Sequence, residues 1–543
     1  MTLKPSSLSK PFLALCCFLL PKLARRHHRG RMAATKPSPP PPPLDKLHGR
    51  TLVVDVEGLI LRPPVSAFPY FMLVAVEAGG FLRGLLLLLL YPLLCLLGDG
   101  ARRARAMATV ALVGLEEKEV DRVGRAVLPK FFLEAAAAEG VAAVQAAARV
   151  VAVSATFPRV MVDGFLREYV GVDAVVGPEV RSVGGVLAGL VEEEDAADLA
   201  AKRVRALLGA EVEAAGKKDK DGAVGLVGAG SSGRVHCLFS PYYCKTETFA
   251  VSEADASGWR PLPRREYPRP LVFHDGRLAF TPTPPAALAM YTFLPFAVAL
   301  AVFRVVAFSF LPYRACFPLA ALTGVHYRLV AAGHAPPAAG AADGGRLYVC
   351  NHRTLLDPII VATTLGKAVT AVTYSLSPVS EMIAPIRTAR LTRDRENDRR
   401  NMAAALASGD LVVCPEGTTC REEYLLRFSP LFAELGAAVH PVALDTRVGM
   451  FYGTSTKPGA KWMDPFYFMM NPRPAYRVEL LPSAEASPAE NGGRGDSIGV
   501  ANRVQREIGK ALGFELTELT RKDKYMVLAG NEGVVPTPPA NKY

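Results

Sequence analysis

Three short apolar runs in the first half of the chain, Thr51–Val56, Arg149–Ser154 and Val224–Val227, each stop at polar or glycine-bearing residues. Their brevity and β-branched content predict buried strands. Lys130–Ala148 and Arg159–Tyr169 carry helical spacing between them, and strands alternating with helices predict an α/β layer on a mainly parallel sheet. The pattern returns near the C-terminal end, where Arg346–Cys350 and Asp410–Cys414 read as strands leading into polar loops. Ser497–Leu512 reads as an amphipathic helix, with Val500, Val504, Ile508, Ala511 and Leu512 on one face. Glu253–Gly276, rich in Arg and Pro, reads as a loop.

Two regions are apolar almost throughout. Phe68–Leu97 has only Glu77 and Arg83 as charges. Its densest part, Leu85–Leu97, is short against the roughly 20 residues of a bilayer span. It reads as a re-entrant or interfacial segment, a crossing, or a hairpin of two core helices. Leu288–Leu311 carries only Arg304, and its Pro295 is tolerable in a membrane helix. An arginine at the bilayer centre costs ~2.5–3.5 kcal/mol on insertion scales, so a tilted, snorkelling or partly interfacial helix is expected.

From Met1 to Leu44 there is no acidic residue. A short apolar run, Phe12–Leu20, precedes five basic side chains and the proline tract Pro39–Pro43. This is read as a basic tail on a membrane, with the endoplasmic reticulum as default and a mitochondrial transit peptide as the alternative.

At 543 residues the chain is too long for one ordinary core. Its residues are 50% hydrophobic, its mean hydropathy is +0.20 and its net charge is +12. The charge asks for an anionic partner. Aromatics are few and no basic repeat is visible, so nucleic acid is set aside in favour of a lipid surface or a phosphate-bearing substrate. The nine cysteines form no C-x-x-C pair, which argues against a disulfide framework or zinc site. His236, Cys237 and Cys244 fit no usual ligand spacing and are read as core residues. No metal or cofactor is expected, and the oligomeric state is left open.

The chemistry concentrates after the strand 346–350, in Asn351-His352-Arg353-Thr354-Leu355-Leu356-Asp357. A histidine and an aspartate at this spacing can face each other across a strand-to-helix turn. Asp357 would then hold Nδ1–H and leave Nε2 free to take a proton from a hydroxyl. Pro415-Glu416-Gly417-Thr418-Thr419 also follows a strand, and the cationic stretch Arg387–Arg400 holds Leu391-Thr392-Arg393-Asp394-Arg395. Guanidinium groups suit a phosphate-bearing acceptor, Glu416 could hold a hydroxyl, and Gly417 permits close approach. Most of these arginines read as a solvated helix face; Arg393 is the exception.

N-H-x4-D, L-T-R-D-R, P-E-G-T-T and His440-Pro441-Val442 stand in the order of the four blocks of the PlsC-type glycerolipid acyltransferases. L-T-R-D-R and Phe466–Pro472 resemble the land-plant glycerol-3-phosphate acyltransferases associated with cutin and suberin, and the likeness runs from about Thr51 to Val535. The resemblance implies His352 as general base, Asp357 as its partner, and glycerol 3-phosphate bound by Arg393, Glu416 and Gly417, with Asn351 and Thr418 beside them. It implies acyl-CoA as co-substrate and preference for the sn-2 hydroxyl. Other branches carry a different second block, so the detailed acceptor contacts stay open.

The same family carries an N-terminal haloacid-dehalogenase-like domain, a Rossmannoid phosphatase fold. Asp55 stands at its nucleophile position and Ser154 or Thr156 at its second-motif hydroxyl. Glu57 replaces the usual aspartate, and Gly228–Gly233 replaces the metal-holding acids, so an inactive domain is expected; Asp221 is the alternative ligand. The expected order is a basic, Pro-rich tail (1–48), the dehalogenase-like domain (49–285, with apolar insertion 68–97), membrane-associated helices (286–330), the acyltransferase domain (331–530) and a disordered tail (531–543).

Overall fold

The computed structural model describes residues 44, 47–97, 100–190, 203, 206, 224–228, 248–331, 345–374, 384–455, 461–484 and 496–529. Residues 1–43 of the basic tail, Asp221, the glycine-rich 229–233, the group His236, Cys237 and Cys244, and residues 531–543 lie outside the described residues.

Strands β1 (Thr51–Asp55), β2 (Arg149–Val153) and β3 (Ala174–Val176) are followed by a hairpin of β4 (Val180–Val183) and β5 (Val186–Leu190), then by β6 (Val224–Gly228) and β7 (Thr248–Val251). Five of them form an all-parallel sheet of order β3-β2-β1-β6-β7. Leu52, Val53 and Val54 are fully buried, as a central parallel strand covered on both faces requires. In-register pairing of Asp55 with Val153 brings Asp55 and the following Ser154 to the same carboxyl edge of the sheet, where open α/β sheets bind ligands.

The helix expected over Lys130–Ala148 is two helices, Leu128–Ala135 and Ala138–Ala146. Ala136 and Ala137 between them are extended, because their backbone groups bond Leu262 N–H and the Ile60 carbonyl. Tertiary pairing overrides the alanines' helix preference. Glu253–Gly276, expected as loop, contains a short helix, Glu253–Gly258, capped by the Ser252 side chain. The apolar stretch 68–97 divides at Gly80, whose φ of 86° turns the chain between two helices. Phe68–Gly79 lies in the core, whereas Phe81–Cys95 exposes Leu82, Leu86, Leu89 and Leu93 along one side. The core-hairpin alternative therefore describes only the first helix.

The second sheet contains β8 (His326–Ala331), β9 (Leu347–Cys350), β10 (Thr370–Thr373), β11 (Arg387–Arg390), β12 (Leu411–Val413), β14 (Val439–Arg447) and β15 (Ala475–Leu480). Its order is β11-β10-β12-β9-β14-β15-β8, and every pair is parallel except β14 with β15. Short β13 (Tyr424–Leu425) pairs separately with β16 (Glu515–Leu516). β8 falls within the segment 286–330 expected to be helical: pairing with β15 along its whole length supplies what the sequence pattern does not reveal. Central β9 points Leu347 and Val349 at the helix Ser497–Leu512, through Val500, Val504 and Ile508. Its other face, Tyr348 and Cys350, packs towards Val361 of the helix Asp357–Leu365. This rigid strand presents residues 351–356 at its carboxyl end.

The helix Pro284–Phe310 has 27 residues and is long and apolar enough to cross a membrane. Phe296, Val302, Phe303, Val306 and Phe310 are exposed, while Ala287, Met290, Ala297, Ala301 and Arg304 form a buried stripe. Arg304 neither snorkels nor faces outward. Its Nη1 donates to the Met469 and Asn471 carbonyls at 2.6 Å each, and Nη2 donates to Thr323 and Pro472. Carbonyls at the end of Phe466–Pro472 thus take the place of water around the cation. Each acceptor left unpaired by Arg304→Met costs about 1–3 kcal/mol. That variant should melt well below wild type in detergent, with Arg304→Lys between them; an unchanged melting temperature would show that the carbonyl cage contributes nothing.

Candidate active site

Tight bonding of the turn after β9 fixes its histidine. Asp357, fully buried at the start of its helix, accepts through Oδ2 from His352 Nδ1 at 2.9 Å, Arg353 N–H at 2.5 Å and Thr354 N–H at 2.8 Å. Its Oδ1 accepts from the Thr354 hydroxyl at 3.2 Å and the Tyr476 hydroxyl at 3.0 Å. Burial pushes the Tyr476 phenol well above its ordinary pKa, so it stays a donor. With Nδ1–H held by the carboxylate, Nε2 is the basic nitrogen. The His352 side chain is 15% exposed. Burial opposes its charged form, but the Cys414 sulfur and the Asp357 carboxylate favour it and outweigh burial, leaving the His352 pKa well raised.

Glu416 lies behind the histidine. Its Oε1 accepts His352 N–H at 2.7 Å and its Oε2 accepts Leu426 N–H at 3.0 Å. Both oxygens thus hold backbone, and burial raises the carboxyl pKa to about 7. Asn351, expected to touch substrate, is fully buried and exchanges two hydrogen bonds with the backbone of Leu444. Its amide locks β9 to β14 at the carboxyl end, where His352 follows. In this geometry Glu416 holds the backbone of His352 and Asn351 anchors the strand end before it. Gly417, at φ 66°, closes a turn onto the Cys414 carbonyl, and Thr418 beside it is half-buried.

Arg393 lies in the loop between β11 and the helix Arg395–Ser408 and is exposed. Its φ of 73° is left-handed, which costs a non-glycine residue ~1–2 kcal/mol. Asp398 holds it there, accepting from Thr392 N–H, the Thr392 hydroxyl and Arg393 N–H. Asp394 caps the helix through Asn397 N–H. Arg395 and Arg399 pair with Glu434 and Glu396, as a solvated helix face would. Arg393 and Arg521 both exert their charge on Tyr374, and Arg521 Cδ lies 3.9 Å from where a Cβ on Gly417 would sit. Arg521 therefore borders the Gly417 turn, and Arg393 shares the surroundings of Tyr374 with it. Tyr476 and Arg521 were invisible in the sequence because each acts on residues about a hundred positions away, while Asp398 acts on its near neighbours Thr392 and Arg393 but carried no motif signal of its own. His440 pairs with Tyr348 at the amino-terminal part of β9, away from the turn.

The N-terminal sheet carries a second constellation. The Glu57 carboxylate accepts from the Ser154 hydroxyl at 2.5 Å and from the N–H groups of Ala155, Thr156 and Phe157 at 3.1, 2.9 and 3.3 Å. These donors form a nest of the kind that holds oxyanions, and the chain's own carboxylate fills it. Burial, then the charge of Asp55, raises the Glu57 pKa. The methylene that distinguishes Glu from Asp gives the side chain this reach.

A histidine–aspartate pair at the carboxyl edge of a mixed sheet, joined to a Rossmannoid domain, is the arrangement of an α/β transferase. Residues 334–445 match the acyltransferase family model, and residues 51–250 match the model described as glycerol-3-phosphate acyltransferase RAM2-like, HAD-like domain. "Probable glycerol-3-phosphate acyltransferase 2" of Arabidopsis thaliana is 45% identical over 505 residues, covering 92% of each chain. "Glycerol-3-phosphate acyltransferase RAM2" of Petunia hybrida is 40% identical over 478 residues, covering 87% of this chain and 96% of its own. The chain belongs to the plant glycerol-3-phosphate acyltransferase family.

Two titrations follow. A base role for His352 would need the neutral imidazole, so its raised pKa would place the acid limb of the kcat/KM profile above 6.5; Asp357→Asn removes one raising cause and should move the limb down while lowering kcat. A limb that stays in place would contradict the pairing. Glu416, raised from 4.5 to about 7, contributes stability that is full below its unfolded pKa and lost as pH rises through about 7. The melting temperature of Glu416→Gln should therefore gain on wild type between about pH 5 and 8, and a constant gap would contradict that assignment.

Proposed function

We propose that this chain transfers an acyl group from acyl-CoA to glycerol 3-phosphate, with His352 as general base. The observation that carries the reading is the 2.9 Å contact of His352 Nδ1 with buried Asp357, which makes Nε2 the basic nitrogen in an acyltransferase-family chain. The thioester is already activated, whereas the hydroxyl is a poor nucleophile while protonated. Nε2 takes the hydroxyl proton as the oxygen attacks the thioester carbonyl, and the tetrahedral intermediate then expels the CoA thiolate. The imidazolium returns its proton to that thiolate, so the base is regenerated. Arg393, with Arg521, takes the acceptor's phosphate through charge-assisted hydrogen bonds.

The sn-2 hydroxyl as acceptor, and a product that feeds cutin, suberin or glycerolipid, rest on resemblance to the plant family. The exposed apolar sides of Pro284–Phe310 and Phe81–Cys95 fit a lipid environment, with the endoplasmic reticulum as the proposed membrane. The N-terminal domain releases no phosphate, because Glu57 occupies the nest a phosphate would need.

The test supplies labelled glycerol 3-phosphate and acyl-CoA to membranes carrying the protein. His352→Ala should lose at least ~10²-fold in rate, as expected for removing a general base. Wild type should release no inorganic phosphate. Near-normal activity of the variant would remove the base assignment, and phosphate release abolished by Asp55→Ala would overturn the reading of the first domain.

A further inference from the structure

The loop 414–423 carries Glu416 and Gly417 at its front, and its rear is attached to the other domain. Cys420 N–H donates to the His352 carbonyl at 2.8 Å, so the histidine's N–H and carbonyl both bond this loop. Arg353 Nη1 holds the same stretch by donating to the Cys420 and Glu422 carbonyls at 2.9 and 2.5 Å. The Glu422 side chain, 6% exposed, takes Lys130 Nζ at 3.1 Å on one oxygen and Arg264 Nη2 at 3.1 Å on the other. Lys130 belongs to the helix Leu128–Ala135 of the N-terminal domain and also donates to the Tyr452 hydroxyl at 2.6 Å. Next to this triad, Arg421 donates to the Gly276 and Thr454 carbonyls, and Ala126, Val272, Phe273, Cys420, Leu426 and Leu528 form one apolar cluster.

A buried ion pair is a weak source of stability, since desolvation offsets most of the attraction. What it does supply is direction: a carboxylate clamped on both oxygens fixes the backbone that bears it. We propose that the N-terminal domain, its own nest filled by Glu57, serves as a brace for acyl transfer, with Lys130 and Arg264 as positioning residues that set the 420–422 backbone and hence His352. The proposal rests on His352 being the base. It assigns the first domain a catalytic role exerted entirely through contact.

The experiment measures kcat and KM for glycerol 3-phosphate with full-length protein in membranes. Lys130→Met should lower kcat about tenfold with KM changed less than about twofold, because a base displaced by a fraction of an ångström slows chemistry more than binding. Lys130→Arg should restore most of the rate. Glu422→Gln should match Lys130→Met, and the double variant should be no slower than either single one, as for residues acting as one unit. Arg260→Ala, which breaks the exposed Arg260–Glu266 pair of the linker, serves as the control and should leave kcat unchanged. A folded Lys130→Met with wild-type kcat, a loss confined to KM, or additive losses would overturn the brace. If Lys130→Met does not accumulate, Tyr452→Phe removes one bond to Lys130 and should lower kcat about threefold; no change there would overturn it equally. Activity surviving in His352→Ala would instead sink the base assignment. An inactive His352→Ala beside a fully active Lys130→Met would sink the brace alone.

Discussion

The Asp357 carboxylate accepts five donors, and the orientation of everything in the site follows from it. Two donors are backbone N–H groups of the turn that carries His352, one is the imidazole itself, one is the Thr354 hydroxyl, and one comes from Tyr476 of β15 across the domain. Pro358 follows at the second position of the helix, where a missing N–H costs nothing. The turn has little room to adopt another shape without leaving a buried carboxylate short of partners. Glu416 repeats the device one strand away by holding the same histidine's N–H. Two buried carboxylates thus fix one imidazole, from its ring and from its backbone.

The rest of the molecule supports that turn in layers. β9 runs beneath it between two helices, and Asn351 ties its end to β14. The membrane-length helix is tied to the same domain by Arg304, three of whose carbonyl partners lie just before β15 and its Tyr476. At the rear, the interdomain cluster and the Lys130–Glu422–Arg264 triad close on the loop that touches His352.

Part of this could be read from sequence. Short β-branched runs ending in polar turns marked β1, β2, β6, β9 and β12, and 3.6-residue spacing marked Ser497–Leu512 within a residue. The five-residue step from His352 to Asp357 was visible because both partners sit on one turn. What stayed hidden depends on residues far apart in the chain. Lys130 and Glu422 are 292 positions apart, and Glu57 and Ser154 are 97 apart. Asn351 and Glu416 read as substrate contacts because motif order shows that residues gather, while the fold decides which way each side chain turns. β8 and the break at Ala136–Ala137 were missed for a related reason: pairing partners, not local preference, decide both.

The most direct test is a structure of the enzyme with glycerol 3-phosphate and a non-reactive acyl-CoA analogue. The account predicts the acceptor hydroxyl about 2.6–3.2 Å from His352 Nε2, the analogue's carbonyl carbon beside it and the phosphate on Arg393. A hydroxyl bound out of reach of the imidazole, with the phosphate held elsewhere, would contradict it.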